Sequence, residues 1–249
     1  MAGTVALPIE DGRLKAIFSY PHFSDAHYQA VLGELKALQV EGIVLAGGLE
    51  VGEVRIIGKG CTAIVCLGVI GGREVAVKIR RSDSSRESLE GEGANLEYAN
   101  SFGVGPKIFG STRNVIAMEH IQGKVLPRWL EEAPRREAVR RAVLDILMQC
   151  HSLDAHGLDH GELSDAKKHI IIDKSGGARI IDFESASRSR RCRNLNSVVG
   201  YLLFKDSISR MLGAHIEWDR KRLSEIMKGY KAAPSERGLE ALIYHLKLY

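Results

Sequence analysis

The spacing of apolar residues predicts a β-rich first half of the chain. Positions 51–57 alternate between apolar and polar residues, positions 62–69 are rich in β-branched residues, and positions 73–79 follow a Gly71-Gly72 turn. Alternation with a period of two, interrupted by glycine turns, is typical of antiparallel strands. The sequence therefore predicts three consecutive antiparallel strands here and a further strand at positions 115–121.

Helical periodicity predominates elsewhere. Apolar faces predict helices after Ser24, between Ser82 and Ser101, and from Pro134 to Cys150, and most of 194–249 is also predicted to be helical. We expect the first of these helices to pack on a neighbouring sheet.

A hairpin is predicted within the helical half, because two short apolar runs, 169–173 and 179–183, flank a Gly-containing turn. A β-rich first half followed by an α-rich second half predicts an α+β protein with two unlike lobes.

Composition narrows the class of protein only slightly. The 249 residues are 45% hydrophobic and 27% charged, which is ordinary for a globular protein, and the net charge of +4 permits phosphate or nucleic-acid binding without requiring it. Four scattered cysteines (61, 66, 150 and 192) lack paired metal-ligand spacing, which favours reduced thiols. With no apolar run long enough for a membrane span and no secretory signal in residues 1–10, we expect a cytoplasmic protein without a membrane partner.

A glycine-rich turn supplies the first candidate for chemistry. Gly58, Lys59 and Gly60 lie between two predicted strands, where glycines allow backbone amides to approach phosphate oxygens. A strand rather than a helix follows, which disfavours a dinucleotide-binding fold.

Lys78 ends the Val-Ala-Val-Lys run of a following predicted strand and could place its ammonium group on nucleotide phosphates. Such a lysine requires a carboxylate to orient it. Glu92 is the favoured candidate and Glu90 the next, with Glu87 and Glu97 also in range.

Two further motifs flank the predicted hairpin. His160-Gly-Glu162 precedes it, and Asp182-Phe-Glu184 ends it after two isoleucines. A carboxylate at the end of a strand is well placed to hold magnesium, although a turn-capping role explains Asp182 alone equally well.

In this order the motifs resemble the protein-kinase superfamily, most closely its small atypical branch of RIO-like and Bud32-like kinases and archaeal kinase-like proteins. The resemblance covers residues 51–204 and implies a bilobal protein-kinase-like fold with a β-rich N-lobe and a compact, mostly α-helical C-lobe. It implies an N-terminal extension packed on the N-lobe (1–50), an N-lobe (51–122) and a C-lobe (123–249).

The resemblance also implies ATP and Mg2+ as cofactors. It assigns catalysis to Lys78, Glu162 and Asp182, and metal binding to Asp182 with His169. The implied cofactor-binding residues are Gly58, Lys59, Gly60, Val65, Ala76, Lys78, Glu92, Glu119, Ile121 and Ile181.

The chain departs from the family pattern at several positions. Ala63 replaces the third glycine of the loop, Glu184 replaces the glycine after Asp-Phe, and Glu162 replaces the catalytic aspartate, where a displacement of about 1 Å costs on the order of a hundredfold in rate. Lys167 stands where the family has a metal-binding asparagine. Either His169 replaces that ligand or Lys167 and Lys168 neutralise phosphate charge; magnesium prefers oxygen to histidine nitrogen.

The segment after Asp182 contains four arginines at 188, 190, 191 and 193, which favour either binding of a phosphorylated or nucleic-acid partner or a solvated loop. The leading interpretation is phosphoryl transfer from ATP to a serine or threonine hydroxyl of a protein substrate. The alternatives are a nucleotide-binding pseudokinase, an ATPase within an RNA-related assembly, and a kinase of a small molecule.

Overall fold

The computed structural model describes residues 6–249, which divide into two compact units. The first unit comprises residues 6–97 and 106–120, and the second unit comprises residues 98–105 and 121–249. Helices form 43% and strands 21% of the structure, and the sheet is antiparallel, which confirms the predicted α+β class.

The first unit is mainly a sheet with helices. Its strands are β1 (Ala6–Pro8), β2 (Gly42–Val44), β3 (Leu49–Val51), β4 (Val54–Ile56), β5 (Gly58–Lys59), β6 (Ala63–Ile70), β7 (Arg73–Arg80), β8 (Ile108–Ser111) and β9 (Val115–Glu119). Its helices are α1 (Lys15–Phe18), α2 (Asp25–Ala37) and most of α3 (Glu90–Asn100), with a 3-10 helix at Gly12–Leu14.

The seven-stranded sheet has the order β1-β2-β6-β7-β9-β8, with β5 paired to β6, and every pair is antiparallel. At its centre, β6 and β7 are two of the predicted antiparallel strands, joined by the turn at Gly71 and Gly72, where φ is +55° and +73°. Strands β1 and β2, which were not predicted, extend the sheet beyond β6. Each is only three residues long, too short for alternation to be recognised.

Helix α2 begins where the sequence predicts, because the Ser24 hydroxyl accepts a hydrogen bond from the His27 backbone N–H. Its buried residues Tyr28, Val31 and Leu35 belong to one hydrophobic core with sheet residues such as Val77. The predicted packing of this helix on a sheet is confirmed.

Three details of the prediction for the first unit are wrong. The expected single strand at 51–57 is a hairpin of β3 and β4, because Gly52 turns the chain with φ of +59°. The helix expected from Ser82 begins only at Glu90, whose N–H donates to the Ser88 hydroxyl. Strand β8 was missed because it is short and contains Gly110.

The second unit is mainly helical. It contains α4 (Leu126–Glu131), α5 (Arg136–Ala155), α6 (Asn194–Val199), α7 (Asp206–Gly213), α8 (Arg220–Ala232) and α9 (Glu236–His245), and strands β10 (Gly123–Val125), β11 (Ile170–Asp173) and β12 (Ala178–Ile180). A 3-10 helix covers Leu163–Lys168 and a π-helix covers Gly200–Phe204.

The predicted hairpin is β11–β12, which joins β10 in an antiparallel three-stranded sheet. The predicted long helix is α5, and its Gln149 side chain donates to the Ala178 oxygen at 2.7 Å and accepts from the Ile180 N–H at 3.2 Å. These bonds fix β12, and with it the chain that leads to Asp182, against α5.

None of the helices within residues 6–249 combines the length and apolar character that crossing a bilayer requires.

Candidate functional site

A buried ion pair joins β7 to α3 in the first unit. The Lys78 Nζ donates to the Glu92 Oε1 at 2.7 Å, and the two side chains are only 8% and 6% exposed. Burying an unpaired ammonium or carboxylate group costs several kcal/mol (on the order of 5), so the two charges depend on each other in this position. Of the four glutamates that the sequence offers, Glu92 is the one beside Lys78.

Strand register defines what surrounds Lys78. Val65 on β6 lies directly opposite Lys78, and Ala76 lies opposite Met118 on β9. Residues opposite one another, and residues two apart on a strand, project from the same face of a sheet. Val65, Ala76 and Lys78 therefore share one face, while Val77 and Ile79 enter the core on the other.

Glu119 lies opposite Val75, so its side chain projects from the face that Lys78 does not share. Its carboxylate accepts the Lys107 N–H at 3.1 Å. A ligand on the face of Lys78 would therefore meet the backbone of Glu119 and not its side chain.

The glycine loop is closed by hydrogen bonds. The Gly60 N–H donates to the Ala63 oxygen at 2.8 Å, and the Arg81 Nη1 donates to the Gly60 oxygen at 2.9 Å. Among the described residues, a Cβ added at Gly58 would meet the Val65 side chain and one at Gly60 the Ala63 oxygen, each at an ordinary contact distance of 3.4 Å. Neither glycine has a positive φ. Packing within the first unit therefore does not require glycine at either position.

Tyr20 contacts the same loop and was missed by the sequence analysis. The Lys59 Nζ lies 5.0 Å and the Arg81 guanidinium carbon 5.1 Å from the centre of its ring. Arg81 is held in turn by Asp83 through two hydrogen bonds of 2.8 and 2.7 Å. The aromatic ring alone carried no signal in the sequence, since Tyr20 lies about forty residues before the loop.

Three further candidate residues converge in the second unit. Ligand atoms of Glu162, His169 and Asp182 all lie within 4.8 Å of one another, and the His169 Nδ1 is 3.8 Å from the Asp182 Oδ2. The three side chains are half-buried. Two carboxylates and an imidazole are donors that suit a divalent cation.

Asp182 has an unusual backbone conformation, with φ of +70°. Aspartate occupies the left-handed region more readily than most residues, yet such positions are uncommon and cluster at functional sites. The conformation sets the direction of the Asp182 side chain just after β12.

The residue before Asp182 is held from two sides. The Ile181 N–H donates to the His169 oxygen at 3.0 Å, and the His160 Nε2 lies 3.0 Å from the Ile181 oxygen. His160 is completely buried, and burial lowers its pKa to about 4. The imidazole is therefore neutral near pH 7, and because a carbonyl oxygen only accepts, the proton lies on Nε2.

Asn194 and Asp154 support the loop that carries Glu162. The Asn194 Oδ1 accepts the His160 N–H, and its Nδ2 donates to the Leu158 oxygen and to the Asp154 Oδ1, all at 2.8 Å. Burial raises the pKa of Asp154, the anchor of this network. The sequence analysis missed both residues, because polar residues are common at helix ends: Asn194 begins α6 and Asp154 lies in the last turn of α5.

Gly161 is required by its surroundings. Its φ is +89°, and a Cβ there would lie 2.6 Å from the Arg190 Nη2 and 2.8 Å from the Ser185 oxygen. The loop of Glu162 is thereby packed against the segment after Asp182, and Asp159 and Ser187 form an antiparallel bridge beside it.

The arginines of that segment make contacts within the second unit. Arg190 donates to the Asp159 Oδ2 at 3.0 Å, Arg191 donates to the Lys231 oxygen at 2.6 Å, and Arg188 stacks 4.1 Å from the centre of the Tyr98 ring. These three side chains are exposed, and their contacts hold the segment in place within the second unit.

Lys167, at the position of the expected asparagine, pairs with Asp165 at 3.1 Å and is 58% exposed.

The candidate residues form two groups, one in each unit. Those from Gly58 to Glu119 lie in the first unit, and Ile121, Glu162, His169, Ile181 and Asp182 lie in the second. Ile121 is half-buried beside β10.

No protein-family model matches this chain, and no curated protein sequence matches it significantly.

Proposed function

We propose that the protein binds ATP with Mg2+ and transfers the terminal phosphoryl group to a serine or threonine hydroxyl of a protein, and that its two units are the lobes of a protein-kinase-like fold. The observation that carries this proposal is the buried Lys78–Glu92 pair. It combines a strand lysine, downstream of a glycine loop, with a helix glutamate that orients it, which is the arrangement that phosphate binding by such a lysine needs.

The first unit would bind the nucleotide. Val65 and Ala76 provide an apolar surface on the face that Lys78 shares, suited to an adenine ring. The glycines at 58 and 60 leave the loop backbone accessible to phosphate oxygens, which explains glycines that internal packing does not require. The Lys78 ammonium would neutralise phosphate charge while Glu92 holds it in place.

The second unit would supply the carboxylates. Asp182 would hold magnesium with His169 as a further donor, and the ion supplies neutralisation of phosphate charge when bound. Glu162 would orient the substrate hydroxyl and accept its proton. The His160–Ile181 and Asn194–His160 hydrogen bonds would keep Glu162 and Asp182 in a fixed relation.

The test is isothermal calorimetry with Mg-ATP, followed by transfer of radiolabelled γ-phosphate to the protein itself and to a mixed protein substrate. Lys78→Arg should weaken nucleotide binding at least tenfold, and Asp182→Asn should reduce transfer at least a hundredfold. Lys36→Arg is the matched control, because Lys36 is exposed and pairs with Glu10 on the surface. Absence of ATP binding by the wild type rejects the proposal.

A second candidate, a nucleotide-binding protein without transfer, is favoured by the donor set itself. His169 offers nitrogen where magnesium prefers oxygen, and Lys167 is engaged by Asp165. ATP binding by the wild type with no phosphoprotein and no ADP formed would select this candidate.

A further inference from the structure

A groove of about 750 Å³ lies between α8 and α9 in the second unit. Its walls include Arg222, Arg237, Tyr244, Lys247 and Tyr249. None of these residues takes part in the candidate site described above, so the inference drawn from the groove does not rest on phosphoryl transfer.

The groove is lined by three cations, Arg222, Arg237 and Lys247, against one carboxylate, Glu240, so its lining carries a net positive charge. Residues 220–249 contain seven lysines and arginines against three glutamates, a surplus equal to the net charge of +4 of the whole chain, so the preceding residues are neutral overall. Arg222 pairs with Glu225 at 3.2 Å on the surface. Within residues 6–249, neither Arg237 nor Lys247 forms an ion pair with a carboxylate. Their charge is available to a polyanion.

Two aromatic rings stand in the same groove. Tyr244 and Tyr249 are 73% and 76% exposed, and their ring centres are 6.0 Å apart with an angle of 59° between the planes. The Tyr249 hydroxyl donates to the Tyr244 backbone oxygen at 3.3 Å, which holds the second ring near the first. Exposed rings of this kind leave their faces open for stacking.

We propose that this groove binds single-stranded nucleic acid, with phosphates against Arg237 and Lys247 and bases stacked on Tyr244 and Tyr249. A basic groove interleaved with exposed aromatic rings is the combination by which proteins bind single strands. An acidic peptide would use the positive charge but not the ring faces, and a duplex keeps its base faces stacked internally. A single strand uses both features.

The test measures fluorescence anisotropy of labelled twelve-nucleotide oligouridylate and oligodeoxythymidylate, with a labelled polyglutamate peptide of equal charge, in 50 to 200 mM KCl. We expect both oligonucleotides to bind with a salt dependence typical of phosphate contacts, and the peptide to bind at least tenfold more weakly. A difference between the two oligonucleotides identifies ribose or deoxyribose as the preferred strand; equal affinities identify the shared phosphate and base chemistry.

Variants locate the binding surface. Tyr244→Ala and Tyr249→Ala should each weaken binding about tenfold, since stacking on one ring is typically worth that much. Arg237→Gln with Lys247→Gln should lower the slope of log affinity against log salt by about 0.7 for each charge removed. Lys228→Gln is the matched control, because Lys228 is an exposed cation of α8 that does not line the groove.

Three results would overturn the proposal: no binding of either oligonucleotide, unchanged affinity in both tyrosine variants, or an equal loss in Lys228→Gln and the groove variants. Preferential binding of the peptide would also overturn it and identify an acidic protein surface as the partner. Thermal melts of each variant separate lost contacts from lost structure.

Discussion

The His160 Nε2 donates a hydrogen bond to the Ile181 backbone oxygen, 3.0 Å away and one residue before Asp182. His160 also begins the tripeptide that ends at Glu162, so one buried imidazole connects the two carboxylates of the candidate site. Because the Asn194 Oδ1 in turn accepts the His160 N–H, the whole arrangement is anchored on α6 and, through Asp154, on α5.

Asn194→Ala should lower the free energy of unfolding by about 2–4 kcal/mol, because it leaves a buried N–H and a buried carbonyl oxygen without their partners. Urea unfolding followed by tryptophan fluorescence measures this, since Trp129 and Trp218, the two tryptophans of the chain, both belong to the second unit. Asn196→Ala is the control, because among residues 6–249 the side-chain amide of Asn196 makes one hydrogen bond, to the Met227 oxygen. Equal losses in the two variants would refute the anchoring role of Asn194.

The Lys78–Glu92 pair provides a double-mutant test. Lys78→Met should lower the free energy of unfolding by about 3–5 kcal/mol, because the Glu92 carboxylate remains buried without the ammonium group. The double variant Lys78→Met/Glu92→Met should be more stable than either single variant, since it removes both charges and keeps apolar volume.

Urea unfolding followed by far-UV circular dichroism measures these three proteins. Lys36→Met, at an exposed pair with Glu10, should leave the unfolding midpoint unchanged. A double variant less stable than both single variants would show that the attraction between Lys78 and Glu92 does not account for the loss of stability in the single variants.

Gly161→Ala should destabilise the second unit far more than Gly157→Ala. Both glycines have a positive φ, of +89° and +71°, so both substitutions carry the same backbone cost of about 1–2 kcal/mol. At Gly161 the new Cβ meets neighbouring atoms, whereas at Gly157 no atom of the described residues lies within 4 Å of it. Tryptophan-monitored urea unfolding of both variants isolates the steric contribution, and equal losses would contradict it.

Local patterns predicted those parts of the fold that depend on neighbouring residues. The β-branched residues of β6, the glycine turn before β7 and the apolar faces of α2 and α5 can each be recognised within a short stretch of sequence. Strands β1, β2 and β8 are three or four residues long and are strands because they pair with distant partners. Pairing of that kind is not visible in a local window.

The candidate site divides in the same way. Lys78 and Asp182 were recognised because each ends an apolar run and lies in a characteristic order along the chain. Asn194, Asp154 and Tyr20 act through contacts with residues at least 34 positions away in sequence, the separation between Asn194 and His160. Their residue types are common at helix ends and on surfaces, so only the folded chain reveals their partners.

Asp154 predicts a pH dependence of stability. Burial raises its pKa in the folded protein above the ordinary value of about 3.9, so the folded state favours the protonated carboxyl group. The stability that Asp154 contributes is therefore complete below the unfolded pKa and is lost as the pH rises through the raised folded pKa.

The free energy of unfolding of the wild type minus that of Asp154→Asn measures this contribution, because the contributions of the other titrating groups are common to both proteins and cancel. It should fall as the pH rises from about 3.9 and become constant once Asp154 is ionised. The corresponding difference for Asn196→Ala, which removes no ionisable group, should not vary. A difference for Asp154→Asn that rises with pH would contradict the direction of the shift.

The donor set of Glu162, His169 and Asp182 predicts a preference among divalent cations. Because Mn2+ accepts imidazole nitrogen more readily than Mg2+ does, the wild type should bind Mn2+ more tightly than Mg2+. Titration followed by electron paramagnetic resonance measures Mn2+ directly, and competition gives the affinity for Mg2+. Asp182→Asn and Glu162→Gln should each weaken Mn2+ binding at least tenfold, whereas His169→Gln should narrow the gap between the two ions, since glutamine offers oxygen.

Asp165→Asn is the matched control: this carboxylate lies three residues after Glu162 and is paired with Lys167 and Lys205 instead. A loss in Asp165→Asn as large as that in Asp182→Asn would place the cation elsewhere, and an unchanged ion preference in His169→Gln would remove the imidazole from the ligand set.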